Sequence, residues 1–200
     1  GGNVQDAISI LNMFLPKGKT LLTMKGKIKN ANRTYTTTVE PVDTVMPIVV
    51  LVNGQTASAS EITSGALQDY DRAVILGTRT YGKGLVQVPN VPLPYNGKLK
   101  LTTAKYYIPS GRCIQAVNYR HSKGGYTEHV PDSLTSLFHT AAGREVRDGG
   151  GIKPDVEVKG DSLPNIALYL DRVDTTSVLL NYEVDYLKTH PTVASPSEYE

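Results

Sequence analysis

The chain has 200 residues, 40% of them hydrophobic and 20% charged, with a formal net charge of +2. That length allows one domain with a real core, or one domain plus a small appendage. The near-neutral balance and scattered basic residues leave no footprint for nucleic acid, and no run of about eighteen apolar residues is present to cross a bilayer as a helix. The single cysteine, Cys113, excludes an internal disulfide and does not fix the compartment. The chain opens on Gly1-Gly2 without a methionine and reads as an excised piece, so the missing signal peptide is uninformative.

Residues 1 to 15 are expected to be helical. Val4, Ala7, Ile8, Leu11 and Leu15 share a face, Asn3 can cap the start, Asp6 suits the first turn, and Pro16-Lys17-Gly18 ends the run. Gly1 and Gly2 then sit before a helix N-terminus, where bare N–H groups point outward. Stretches rich in Thr, Leu, Ile, Tyr and Val at 20–28 and 33–39 flank Asn30-Ala31-Asn32 and predict a hairpin. Ile48 to Val52 predicts a buried strand, and Asn53 to Thr56 a turn. A small-residue helix from Ser58 to about Tyr70 follows, with Ala59, Ile62, Ala66, Leu67 and Tyr70 on one side. Ala73 to Leu76 reads as a second strand, ahead of a loop in which Gly82 and Gly84 flank Lys83.

Strands are expected at 84–88 and 98–108, with Pro89, Pro92 and Pro94 breaking the chain between them. After Pro109-Ser110-Gly111 the pattern is irregular, with an exposed loop at 121–126. A tight turn over 147–154 precedes a short strand at 155–158. Helices are expected at 163–170 and 178–188, and a tail or severed linker from His190. No internal repeat or low-complexity segment appears.

Two stretches can carry chemistry. Ser58-Ala59-Ser60-Glu61 matches a capping box, the commoner role for a serine at a helix start. The same place puts a hydroxyl at the positive end of a helix, with the Ala59 N–H able to face an oxyanion. A serine hydroxyl needs a base. His121, His129, His139 and His190 lie outside the strand-turn-helix unit, which leaves Lys83. Desolvation of a lysine lowers its pKa, and a neutral lysine can act as base; an exposed lysine in a glycine turn is the ordinary alternative. Lys83, Leu85 and Gln87 would share a strand face, so the Gln87 amide oxygen could hold the lysine amine, with Val86 and Val88 facing the core. Asp69 either pairs with Arg72 or supports the lysine loop. Gly82-Lys83-Gly84 is not a phosphate loop, and no Cys/His/carboxylate spacing suggests a metal or any other cofactor.

The order of these pieces resembles the carboxyl-terminal processing proteases of peptidase family S41. The resemblance is carried by Asn53 to Asp69, by Arg72-Ala73, by Gly77 to Gln87, by Leu101 to Ile114 and by Gly143 to Asp155. Gly1-Gly2 before a helix resembles the end of the family's Asp-Leu-Arg-x-Asn-x-Gly-Gly segment. The resemblance covers about residues 1 to 160. It implies an α/β fold, the β-rich core of the ClpP/crotonase-like superfamily with helices packed on the sheet, and a helical extension and tail over 161–200. It implies Ser58 as nucleophile rather than Ser60, Lys83 as general base, Gln87 orienting the lysine, and an oxyanion hole from Ala59 with Gly1 or Gly2. Asp69 would be supportive.

Further expectations follow from the family. Substrates would be proteins or peptides with apolar carboxyl termini, in the bacterial envelope or periplasm. A PDZ domain, expected in the full-length chain, is absent here, so this stretch alone should hydrolyse little. The rivals are a non-catalytic binding module of the same fold, acyl-CoA chemistry on a related fold, and an assembly domain whose helices at 163–188 build a homo-oligomer.

Overall fold

The computed structural model describes residues 1–27, 29–118, 126–127, 130–158 and 178–190. The chain divides into two compact units, Gly1–Lys159 and Gly160–Glu200. In the first, helix α1 (Val4–Phe14) starts at Asn3, whose side chain accepts the Gln5 N–H at 3.0 Å. It buries Ala7, Ile8 and Leu11, as the spacing predicts. Strands β1 (Thr20–Gly26) and β2 (Arg33–Thr36) form the expected hairpin, with a short 3-10 turn at Lys29–Ala31 in its loop.

Both hairpin strands are shorter than expected. Past Thr36 the chain leaves the ladder because Thr37 is used otherwise: its hydroxyl donates to the Pro16 carbonyl at 2.7 Å and accepts the Lys19 N–H at 2.8 Å. A register shift between Thr20 and Leu22 lets the consecutive Leu21 and Leu22 both be buried. The antiparallel sheet is completed by β5 (Leu85–Pro92) and β6 (Lys98–Tyr107), in the order β2-β1-β6-β5. β5 runs past the expected stop at 88. The register between Val88 and Val91 slips by one residue, so Pro89 falls at a bulge, a place where a proline without an N–H is tolerated.

The second sheet carries the site. β3 (Val49–Val52), helix α2 (Ala59–Asp69) and β4 (Val74–Gly77) form a βαβ unit, and β11 (Val156–Glu157) adds in parallel to give the order β11-β4-β3. The expectation of a fully buried β3 is corrected. Val52 is buried, but Val49 and Leu51 are 58% and 75% exposed. One face of the sheet meets the core; among the described residues of this unit nothing covers the other. Helix α2 sits close to its neighbours because it is built from small residues. A Cβ at Gly65 would come within 2.8 Å of the side chains of Ile108 and Ile152.

The core gathers Ile8, Leu11 and Leu15, the β1 residues Leu21, Leu22 and Met24, Ile62, Ala66 and Leu67 of α2, and Ile75, Tyr106, Ile108, Ile114 and Ile152. Two pairs of short strands were not expected: β7 (Val117–Asn118) with β8 (Tyr126–Thr127), and β9 (Leu137–His139) with β10 (Glu145–Arg147). The second unit has one described element, helix α3 (Val178–Thr189). The helix expected at 163–170 and the tail beyond His190 lie outside the described residues, as do 121–125 of the expected loop. Among the described residues no helix is long and apolar enough to cross a membrane.

Candidate active site

Ser58 ends the turn between β3 and α2 and is the N-cap of the helix. Glu61 accepts the Ser58 N–H at 2.8 Å and the Ser58 side chain faces the Glu61 N–H, the two halves of a capping box, although the hydroxyl falls short of a full capping hydrogen bond. The Glu61 N–H goes to the Ser58 carbonyl at 2.9 Å. The backbone of Ser58 is unlike that of an ordinary cap. Its φ of 59° and ψ of −118° lie in a region that side chains avoid, whereas N-caps usually sit in the β region. Such a conformation costs on the order of 1–3 kcal/mol and persists only where surrounding structure imposes it.

That surrounding structure is Glu61. Its side chain is fully buried, at 0% exposure. One oxygen, Oε2, accepts the N–H groups of Ser58 (2.8 Å) and Lys83 (2.9 Å). The other, Oε1, accepts the Thr80 hydroxyl (2.5 Å) and the Gly82 N–H (2.7 Å). A single carboxylate thus ties the start of α2 to the lysine loop, with four donors on two oxygens. Gly82 is required in that loop: its φ is +82°, and a Cβ there would lie 2.4 Å from the Ala116 Cβ. Tyr106 of β6 closes the arrangement from below. Its hydroxyl donates to the Lys83 carbonyl and lies 3.3 Å from the Ser58 carbonyl.

The other predicted residues fall as follows. Gly1 and Gly2 lie beside the start of α2; the Ser60 hydroxyl donates to the Gly1 carbonyl at 2.9 Å, and a Cβ on Gly2 would meet the Ala59 Cβ at 3.7 Å. Ser60 is therefore tied to the chain start. Ala59 is the first helical residue, so its N–H is one that the helix leaves without an internal partner. Gln87 lies on β5 beside Thr102, in a stretch where Val86 packs against the core. Ser58, Lys83 and Gln87 are not joined to one another by side-chain hydrogen bonds.

Asp69 differs from both expectations. It neither pairs with Arg72 nor reaches the lysine loop. It forms a salt bridge with Arg112 at 2.8 Å, each side chain 1% exposed, and accepts the Ser110 N–H at 2.9 Å. Burial, the largest influence, raises the Asp69 carboxyl above its ordinary value; the Arg112 charge and the Ser110 N–H oppose that shift. Arg72 instead donates to the carbonyls of Phe14, Met46 and Asp43, stapling the 43–46 loop to the end of α1. Cys113 is no rival nucleophile, because burial, above all, pushes its thiol up and disfavours the thiolate. Among the described residues no group of His, Cys, Asp and Glu could hold a metal ion.

Three members of the candidate site go beyond the sequence pattern. Glu61 matches there only a cap, and Thr80 and Tyr106 stand out in no local pattern. Alternation along β6 could have shown that only one of Tyr106 and Tyr107 faces inward. Choosing between them needed the register with β1, in which Met24 faces Tyr106.

The model of peptidase family S41 matches residues 1–131. The chain belongs to peptidase family S41. A carboxy-terminal-processing protease of Bartonella bacilliformis is 47% identical over 117 residues, covering 58% of this chain and 26% of that protein. A probable CtpA-like serine protease of Staphylococcus aureus is 38% identical over 125 residues, covering 62% of this chain and 24% of that protein. The chain therefore spans about a quarter of these relatives' length.

Among solved structures, the photosystem II D1 C-terminal processing protease superposes with a TM-score of 0.57 at 28% identity, over 82% of this chain and 33% of that one. A putative S41 protease of Bacteroides fragilis superposes with a TM-score of 0.53 at 19% identity, over 94% and 42%, and speaks to the fold alone. The mixed α/β fold is that of the S41 proteases.

Proposed function

We propose that this S41 chain is the catalytic core of a serine endopeptidase that cuts proteins near their carboxyl terminus. The observation that carries the reading is the backbone of Ser58. A serine held at positive φ at a strand-to-helix turn suits a nucleophile better than an ordinary cap, whose backbone lies in the β region. In this reading the Lys83 amine, in its neutral form, takes the Ser58 proton as the alkoxide attacks the scissile carbonyl. The Ala59 N–H, with one from Gly1 or Gly2, holds the oxyanion. The resulting lysinium protonates the leaving amine, and water then releases the acyl group. Gln87 orients the amine, and Asp69 is supportive.

An observation on β5 supports the class of substrate. A shallow groove of about 510 Å³ is lined by Leu85, Leu101 and Ala104 and by Lys25, Lys27 and Lys105, and Leu85 is two residues from Lys83. Apolar side chains beside three lysines suit an apolar peptide end carrying a free carboxylate. By family resemblance, the full-length protein would act in the bacterial envelope with a PDZ domain.

The test is labelling with a fluorophosphonate serine probe, using the wild type, Ser58→Ala and Lys83→Ala in the full-length protein. Labelling is expected in the wild type alone; equal labelling of all three would overturn the assignment. The present stretch alone is expected to hydrolyse peptides slowly, and robust hydrolysis abolished by Ser58→Ala would overturn that expectation while supporting the site. The absence of a Ser58–Lys83 hydrogen bond favours a second reading, a non-catalytic binding module. Catalytic hydrogen bonds often tighten only when substrate binds, so the labelling experiment separates the two.

A further inference from the structure

We propose that Tyr106 is a positioning residue that holds the lysine loop against the start of α2. The proposal rests on the reading of Ser58 and Lys83 as nucleophile and base. Tyr106 is 2% exposed, on β6, and its own N–H is tied to the Gly84 carbonyl at 3.0 Å. Its hydroxyl reaches two carbonyls, those of Lys83 and Ser58. A phenol has one hydrogen to donate. The Ser58 carbonyl already accepts the N–H groups of Glu61 and Ile62, at 2.9 and 3.0 Å. The main hold is therefore on Lys83, with the Ser58 carbonyl a weaker second contact.

Glu61 and Tyr106 act on the same two residues from opposite ends of their peptides. One carboxylate oxygen takes the N–H groups of Ser58 and Lys83, and one hydroxyl meets their carbonyls. Neither side chain hydrogen-bonds the Lys83 amine, so Tyr106 acts through the backbone on where the base sits, and its hydroxyl also meets the Ser58 side chain. Burial first, and the neighbouring Glu61 charge second, push the phenol well above its ordinary range, so the hydroxyl stays a donor throughout any working pH.

The experiment compares wild type, Tyr106→Phe and Ser58→Ala in the full-length protein, with Tyr107→Phe as control, since Tyr107 meets Lys25 through its ring. It measures peptide hydrolysis, the first-order rate of fluorophosphonate labelling at saturation, the labelled fraction and the melting temperature. Tyr106→Phe is expected to lower kcat and the labelling rate per labelled site by roughly 10- to 100-fold, the scale of a small misplacement of reacting groups. KM should stay within about 2-fold, because no substrate contact is removed.

Wild-type kcat in Tyr106→Phe, with Ser58→Ala inactive, would overturn the role of Tyr106 and leave the site standing. A lower labelled fraction with an unchanged rate per site would also overturn it, because that is a folding effect alone. Full labelling of Ser58→Ala would remove the site and this proposal with it.

Discussion

Glu61→Gln is the sharpest perturbation of the site's frame. The carboxylate presents two acceptor oxygens to four donors: the N–H groups of Ser58, Gly82 and Lys83, and the Thr80 hydroxyl. Glutamine keeps the shape but retains one oxygen, and its NH2 must face the other pair of donors. The Thr80 hydroxyl can rotate, but it already accepts the Ile152 N–H at 2.7 Å. The amide will therefore turn its nitrogen toward Thr80 and Gly82, keeping the bonds to Ser58 and Lys83 and leaving the Gly82 N–H opposed. Two hydrogen bonds to a charged group, at about 1.5–3 kcal/mol each, are lost or inverted. With partial rescue by Thr80, the loss is about 3 kcal/mol, a large share of the roughly 5–15 kcal/mol that holds a domain folded.

The assay is urea denaturation. The chain has 12 tyrosines and no tryptophan, so tyrosine fluorescence and far-ultraviolet circular dichroism are the probes. With a denaturant slope of about 1–3 kcal/mol per molar, the midpoint should fall by about 1–3 M. Fluorophosphonate labelling of the molecules still folded should also slow. A midpoint shift below about 0.3 M with an unchanged labelling rate would refute the view of Glu61 as the tie between helix and loop.

Two further outcomes follow from the ion pairs. Arg112→Met leaves Asp69 buried without its charge partner and should cost about 3–5 kcal/mol in urea denaturation, while adding Asp69→Leu should recover part of that loss; additive losses would contradict the pairing. Asp71 is held below its ordinary 3.8: burial raises it, but hydrogen bonds from Arg144 and the Ala142 N–H outweigh burial. A lowered carboxylate contributes stability that is full above its unfolded value and lost as pH falls through its folded value. Arg144→Gln should therefore lower the melting temperature most at neutral pH, with the gap to wild type closing as pH drops below 3.8; a gap constant down to acid pH would contradict the Asp71 contribution.

Much of the frame was legible from local pattern. The period of Val4, Ile8 and Leu11 predicted α1, and the apolar run at 48–52, the small-residue helix and the run at 73–76 predicted the βαβ unit that holds Ser58. What failed depended on partners distant in sequence. β3 reads as buried because Val49, Val50, Leu51 and Val52 are all apolar, yet burial is decided by what lies over each face, and only one face is covered among the described residues of its unit. Asp69 reads locally either as a partner of Arg72, three residues away, or as a support of the lysine loop. Its actual partner is 43 residues on, in a segment that looked irregular.

Ser58 shows what local rules leave open. A capping serine and a nucleophile read alike: both stand at a helix start, and both are followed by an acid at the third position. The difference is a backbone rotation to positive φ, which no residue preference announces, because strain of that kind is normally left to glycine. Something must hold it, and the same Glu61 that would complete the cap does so. Its second oxygen lies on the Gly82 loop, so the holding force reaches forward to Lys83 rather than staying within the helix. A cap would need only the first of those contacts; the second makes the strain at Ser58 depend on the position of the lysine loop.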